Sequence, residues 1–179
     1  TNDAKTVRGN FYTSSSGGTF TAGANAITFA GSSGNYVIDS ANRVLDFPFT
    51  IDGNGNYNLN NSYIAGSSST ASTRAVTLNT GNFTINNVVL YCGQFVTTGA
   101  NVRSINFSGT TGTMNLLNIN TTIWNSNNGS NLSLLGNVII NSTYTGNAGT
   151  RVFDFGNIAE AQAQNVQVTT GTAGFNINT

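Results

Sequence analysis

Hydrophobic and polar residues alternate in short segments along most of the chain. Seven segments share a hydrophobic–polar–hydrophobic triplet that is entered through a small polar turn. Alternation with a period of two, in segments rich in β-branched and aromatic residues and bounded by Gly, Ser and Asn, predicts β-strands. The triplets are Ile27-Thr28-Phe29, Leu45-Asp46-Phe47, Val76-Thr77-Leu78, Ile105-Asn106-Phe107, Leu132-Ser133-Leu134, Phe153-Asp154-Phe155 and Phe175-Asn176-Ile177.

The spacing of the triplets predicts how these strands are arranged. Successive triplets start 18 to 31 residues apart, which leaves room for two or three short strands and their turns. We therefore predict an all-β fold, a right-handed parallel β-helix (solenoid) of about seven rungs. Strands of successive rungs would stack ~4.8 Å apart, with apolar columns inside and ladders of Asn, Ser and Thr outside.

An antiparallel β-sandwich is the alternative fold, because short strands separated by turns fit it too. The irregular spacing favours this alternative. The repeated polar turn before the triplets and the scarcity of tight hairpin signals favour the β-helix; Asp52-Gly53 and Asn128-Gly129 are the clear hairpin signals.

Polar residues without charge supply the solubility of this chain. Only 7% of its 179 residues are charged, with six basic and six acidic side chains, whereas it has 30 Asn, 26 Thr and 17 Ser. Ordinary domains are about 25% charged. This composition is typical of secreted or virion-surface solenoids, so we expect an extracellular location on a cell or virion surface. One β-helical domain is predicted for residues 21–179, preceded by a lead-in or cap at residues 1–20.

Several functions are disfavoured by what the chain lacks. It has no basic stripe for phosphate binding and no apolar run of ~18 residues, which argues against nucleic acid as a partner and against membrane insertion. It has no His and a single Lys, Lys5, so the usual general bases are missing. The segment 52–56 resembles the start of a calcium loop, but Tyr57 and Tyr63 occupy the positions that need Gly and Glu. We expect a non-enzyme with no catalytic residues, no cofactor and no metal.

Four arginines follow small polar turns just before triplets, at what we interpret as one position of the repeat. They are Arg43, Arg74, Arg103 and Arg151. One interpretation is structural, a repeated ion pair or arginine-to-carbonyl bond at the corner of each coil. The other is functional, with Arg43, Arg74 and Arg103 forming a line on one edge that binds acidic glycan.

Aromatic and acidic side chains give two further hypotheses. Tyr57 and Trp124 would stack on a sugar if exposed, although Trp124 also fits the core at a strand end. Asp39, Asp46 and Asp52 fall within one predicted coil. A polysaccharide-cleaving site needs converging carboxylates, and the alternative is that all three are solvated turn and ladder residues.

The polar ladders carry a resemblance to known proteins. The segments Val76-Thr77-Leu78, Phe83-Thr84-Ile85-Asn86-Asn87 and Val138-Ile139-Ile140-Asn141 resemble rungs of parallel β-helix surface proteins, such as autotransporter and filamentous-haemagglutinin-like adhesins and phage tailspikes. The resemblance is architectural and transfers no functional residue. It implies a structural or adhesive protein that assembles through its ends or edges into a trimer or filament, with a surface glycan as a further partner. The alternative function is a glycan-binding or glycan-cleaving module that uses Asp39, Asp46 and Asp52.

Overall fold

The computed structural model describes residues 3–16, 24–64, 74–108, 112–118, 122–142, 150–158, 163–171 and 174–178, which contain sixteen strands and no helix. In chain order the strands are β1 Lys5–Val7, β2 Phe11–Tyr12, β3 Ile27–Phe29, β4 Asn35–Asp39, β5 Phe49–Leu59, β6 Tyr63–Ile64, β7 Ala75–Asn86, β8 Val89–Cys92, β9 Gln94–Val96, β10 Arg103–Ser108, β11 Thr113–Leu116, β12 Thr122–Asn125, β13 Leu132–Ser142, β14 Arg151–Asp154, β15 Ala163–Thr170 and β16 Phe175–Asn178.

Every strand pair in the described residues is parallel and joins segments from successive turns of the chain. Long crossover connections, and no tight hairpins, link paired strands, as parallel pairing requires. The parallel β-solenoid predicted from the sequence is therefore confirmed, and the antiparallel sandwich is wrong.

The strands form three ladders, which we call faces A, B and C. Face A contains β1, β3, the first parts of β5 and β7, β9, β12, β14 and β16. Face B contains β2, β4, the second parts of β5 and β7, β10 and the first part of β13. Face C contains β6, β8, β11, the second part of β13 and β15.

The solenoid has about five turns, where the sequence predicted about seven rungs. Five successive turns run from β5 to β15, and the first four of them place strands on all three faces, whereas β1–β2 and β3–β4 contribute strands to faces A and B. The number of triplets does not give the number of turns, because the triplets lie at different positions of the turn. Ile27-Thr28-Phe29 lies on face A, Ile105-Asn106-Phe107 lies on face B, and Leu45-Asp46-Phe47 forms a corner in which Asp46 has a φ of 47°.

The interior consists of stacked columns of apolar side chains. One column on face A consists of seven residues that pair in register from strand to strand, and all but the first and the last are buried. In order they are Ile27, Phe49, Val76, Phe95, Trp124, Phe153 and Ile177. Each buried large side chain contributes roughly 1.5–3 kcal/mol through removal from water. The core continues along the axis of the solenoid.

The predicted hairpin signal at Asp52-Gly53 is instead a corner inside one continuous strand. β5 passes from face A to face B through Gly53 and Gly55, and its register with β7 shifts at this point. Glycine is required because a Cβ at Gly53 would lie 2.3 Å from the carbonyl oxygen of Gly31 in the preceding turn. The chain therefore bends without leaving the ladder.

Strands β1 and β2 already belong to the stack, since they pair with β3 and β4. Residues 17–20, the last part of the predicted lead-in, lie outside the described residues.

Candidate functional site

The outward side of face B carries a column of neutral side chains that bond to one another along the solenoid. Asn82 Nδ2 donates to Asn56 Oδ1 at 2.6 Å, and Asn56 Nδ2 donates to Asn35 Oδ1 at 3.0 Å. Ser104 Oγ extends the column, 2.6 Å from Asn82 Oδ1. Because each residue stacks in register on the next, amide and hydroxyl groups repeat at the strand spacing of ~4.8 Å.

A similar pair lies on face C, where Asn141 Nδ2 donates to Asn115 Oδ1 at 2.9 Å. Face A contributes another uncharged column, the threonines Thr6, Thr28, Thr50 and Thr77, which are register partners at the outward position. The predicted ladders of Asn, Ser and Thr are thus present, and they make long stretches of the surface polar without charge.

The carboxylate of Asp39, on face B, accepts three hydrogen bonds. Its Oδ1 accepts hydrogen bonds from Asn61 Nδ2 at 2.6 Å and from the Ala41 amide at 2.8 Å, and its Oδ2 accepts one from Asn60 Nδ2 at 3.0 Å. The bonds from Asn61 and Asn60 hold the pKa of Asp39 below its ordinary value of 3.8. Tyr12 stands next to Asp39 in register, with 61% of its surface exposed.

The lowered pKa of Asp39 gives a pH-dependent stability. A carboxyl group whose pKa is lower in the folded state stabilises the fold above its unfolded pKa, and that contribution is lost as the pH falls through the folded pKa. We expect Asp39→Asn to lower the free energy of unfolding at neutral pH. The difference from the unmodified chain should stay constant down to about pH 5 and shrink below pH 3.8.

Denaturant unfolding at a series of pH values measures this difference. Asp3→Asn, which removes an exposed carboxylate near β1, is the matched control for the loss of one negative charge. A constant difference between Asp39→Asn and the unmodified chain from pH 7 to pH 2 would contradict the assignment.

The three carboxylates suggested for glycan cleavage occupy different environments. Asp39 belongs to β4 on face B, and Asp52 is exposed at the corner of β5. Asp46 forms a surface ion pair with Arg74, whose Nε lies 3.1 Å from Asp46 Oδ1. Asp39 and Asp46 are therefore both held by neighbouring turns of the solenoid.

The predicted line of arginines does not form. Arg103 begins β10 on face B, where it pairs in register with Gly81 and Leu132, whereas Arg74 directly precedes β7 on face A. Arg43 lies in the corner after β4 and donates from Nη1 to the Ser14 carbonyl at 3.0 Å. The three side chains therefore occupy different positions of the turn and do not share one edge.

Arg103 is instead an internal clamp. It is 1% exposed. Its Nε donates to Thr97 Oγ1 at 2.5 Å, and its two terminal nitrogens donate to three backbone carbonyls, those of Thr97, Asn101 and Asn128, at 2.5 to 2.9 Å. Burial lowers the pKa of this guanidinium. The arginine-to-carbonyl interpretation describes this residue better than glycan binding does.

Tyr57 and Trp124, which were proposed to stack on sugars, both lie in the core. Tyr57 is 1% exposed and donates its hydroxyl hydrogen to the Gly31 carbonyl at 2.9 Å. Trp124 is fully buried against Phe95, with ring centroids 4.7 Å apart, and its Nε1 donates to Ser126 Oγ at 2.8 Å. Neither ring offers a face to solvent, so the prediction of exposed platforms is corrected.

Sequence reasoning missed the cluster around Asp39. Its members lie one turn apart, so Asn60 and Asn61 follow Asp39 by 21 and 22 residues. That spacing equals the 22-residue step from β1 to β3 and from β3 to β5. If the turns were aligned by this 22-residue step and not by the triplets, Asn60 and Asn61 would be predicted to lie beside Asp39.

Known proteins and general site chemistry add little to this picture. Among the described residues, no group of three or more His, Cys, Asp or Glu side chains is arranged to hold a metal ion. Within the same ranges there is no helix with the length and apolar character needed to cross a membrane. No protein-family model, curated protein or solved structure matches the chain.

Proposed function

We propose that this chain is a non-enzymatic structural or adhesive solenoid that acts outside the cell, on a cell surface or in a virion appendage, and associates with other copies through its ends or edges. The observation that carries the proposal is the uncharged surface of hydrogen-bonded Asn and Ser columns on face B. Such columns add stiffness and present many identical weak contacts along one axis.

The arrangement of the ionisable groups also supports a structural role. Asn60 and Asn61 donate hydrogen bonds to Asp39, and Arg74 donates one to Asp46. Arg103 binds backbone carbonyls. Charged groups of this kind stabilise turns of the solenoid. In a hydrolase, by contrast, two carboxyl groups would face one substrate groove at ~5–9.5 Å.

Binding of a neutral glycan is a second candidate function, and the observation that favours it is the position of Tyr12 beside Asp39. An exposed aromatic ring next to a carboxylate and amides that are fixed in position suits a sugar, whose apolar face stacks on the ring while its hydroxyls bond to the polar groups. This site differs from the acidic-glycan site that the arginines suggested.

Solution mass and turnover test the proposal together. We expect light scattering to give a mass above the 18.6 kDa of one copy, and we expect no release of reducing sugar from a panel of extracellular polysaccharides. Sugar release that is abolished by Asp39→Asn or Asp46→Asn would overturn the non-enzymatic proposal. A single-copy mass at every concentration would remove self-association from it.

A further inference from the structure

Two dipeptides of this chain, Asn54-Gly55 and Asn128-Gly129, can undergo a spontaneous reaction. The backbone nitrogen of the glycine attacks Cγ of the asparagine, because glycine has no side chain to obstruct the approach. As the N–Cγ bond forms, the side-chain nitrogen leaves as ammonia, carrying the proton of the attacking amide, and a succinimide ring remains. Water then opens the ring at either carbonyl and leaves aspartate or isoaspartate. Asparagine is for this reason a thermolabile residue.

The packing of the turns requires glycine at both positions. A Cβ on Gly55 would lie 2.5 Å from Cε2 of Tyr36, and a Cβ on Gly129 would lie 2.4 Å from Cγ1 and 2.7 Å from the backbone nitrogen of Ile158. A less reactive residue therefore cannot follow either asparagine without moving a neighbouring turn. Isoaspartate would lengthen the backbone by one atom at a place where the turns stack closely, so the reaction would damage the fold.

The peptide group that joins Asn128 to Gly129 is held from the turns on both sides. Its carbonyl oxygen accepts a hydrogen bond from Arg103 Nη2 at 2.5 Å, and its N–H donates one to Asn157 Oδ1 at 2.7 Å. Arg103 belongs to the preceding turn and Asn157 to the following turn. Attack on Cγ needs rotation of this peptide plane and loss of the N–H proton. Both hydrogen bonds oppose these changes.

The second dipeptide is protected by backbone alone. Asn54 and Gly55 lie inside strand β5, and the Gly55 N–H donates to the Gly31 carbonyl of the preceding turn at 3.2 Å. Asn54 Oδ1 accepts a hydrogen bond from Thr80 Oγ1 at 2.7 Å. No side chain holds the Gly55 amide in these contacts, so this dipeptide is an internal reference for the other.

We propose that Asn128 is a latent deamidation site and that Asn157 keeps it unreactive by binding the N–H of Gly129. An amide nitrogen that donates a hydrogen bond must break this bond before it can reach Cγ. Replacing Asn157 therefore exposes one of the two dipeptides and leaves Asn54 protected. The proposal concerns a modification site and depends neither on self-association nor on glycan binding.

Timed incubation of the full chain at mildly alkaline pH measures both sites in one sample. Cleavage after arginine places Asn54 in the peptide 44–74 and Asn128 in the peptide 104–151, and fragment masses then locate each change. In the folded chain we expect both sites to react at least about 10-fold more slowly than in urea, because the backbone must open locally before it reacts.

Substitution of Asn157 tests the assignment. Asn157→Ala should raise the rate at Asn128 by about 3- to 10-fold, the range that the loss of one hydrogen bond gives, and should leave the rate at Asn54 unchanged. Asn157→Asp keeps an oxygen acceptor and should retain the slow rate. Asn127→Ala removes an exposed amide beside the site and is the matched control. Unchanged Trp124 fluorescence shows that each variant is folded.

The outcomes are distinct. Faster reaction at Asn128 alone, reversed in Asn157→Asp, supports the proposal. Equal acceleration at Asn54 and Asn128 would mean that the substitution loosens the whole solenoid, and it would overturn the role of Asn157. An unchanged rate at Asn128 in Asn157→Ala overturns that role too. Asn157→Ser, whose hydroxyl is too short to reach the glycine amide, is a second variant with the same expected result; the side chain of Asn157 is exposed, so the fold tolerates both changes.

Discussion

Replacing Arg103 with leucine is expected to lower the free energy of unfolding by about 3 kcal/mol. The buried guanidinium joins Thr97, Asn101 and Asn128, so it ties the corner between β9 and β10 to the following turn. Leucine fills part of the volume but donates no hydrogen bond. The carbonyl oxygens of Thr97 and Asn128 would lose a donor, and an unsatisfied buried acceptor costs about 1–3 kcal/mol.

Urea unfolding followed by the fluorescence of Trp124 measures this loss, because Trp124 is the only tryptophan and lies in the turn that Arg103 clamps. Arg103→Lys should lose more than half as much stability as Arg103→Leu. A lysine keeps the charge, but its single nitrogen cannot reproduce the planar fork that reaches three carbonyls.

Arg8→Leu is the matched control, since Arg8 is exposed in the first turn. Its effect should stay within about 0.5 kcal/mol, as is usual for surface substitutions. If Arg103→Leu changed stability by no more than Arg8→Leu, the hydrogen bonds of Arg103 would contribute no net stability and the clamp would be rejected.

The fold was predictable from the sequence because period-two alternation reports which side chains point inward. In β5, Phe49, Ile51, Tyr57 and Leu59 are buried, and the polar residues that alternate with them are exposed or half-buried. What alternation does not report is the face on which a strand lies. Short strands with the same pattern occur on faces A and B, so their triplets look like one series although they lie at different positions of the turn.

The candidate site residues were less predictable because residue type was taken as a guide to exposure. Trp124 follows inward Ile123 and is itself inward, at a point where the register of β12 shifts. Arg103 occupies an inward strand position that hydropathy assigns to an apolar residue. Both exceptions depend on hydrogen-bond partners in the same turn, Ser126 for Trp124 and Thr97 for Arg103. Hydropathy does not report such contacts.

Replacing a corner glycine is the second change that we expect to lower the free energy of unfolding strongly. Gly81 has a φ of +80°, and a Cβ at this position would lie 2.2 Å from the Gly53 carbonyl oxygen in the preceding turn. Gly81→Ala therefore combines an unfavourable backbone conformation with a collision against backbone that is itself fixed in a ladder. We expect a loss of about 3 kcal/mol or more in the free energy of unfolding.

Two other glycines separate these contributions. Gly34 has a φ of +102°, but a Cβ added there would meet no atom within 4 Å, so Gly34→Ala isolates the conformational cost, about 1 kcal/mol. Gly9 has open space and a φ outside the left-handed region, so Gly9→Ala should change stability by less than about 0.5 kcal/mol. Thermal and urea unfolding of the three variants measures the order.

The expected order, Gly81 far above Gly34 and Gly34 above Gly9, follows from the way this corner is stacked. The Gly31 carbonyl oxygen occupies the place of a Cβ on Gly53, and the Gly53 carbonyl oxygen occupies the place of a Cβ on Gly81. Each glycine thus makes room for the backbone of the turn before it. If Gly81→Ala lowered the free energy of unfolding no more than Gly34→Ala, the corner would have room for a Cβ. Close stacking of the turns would then not be the reason for glycine at this position.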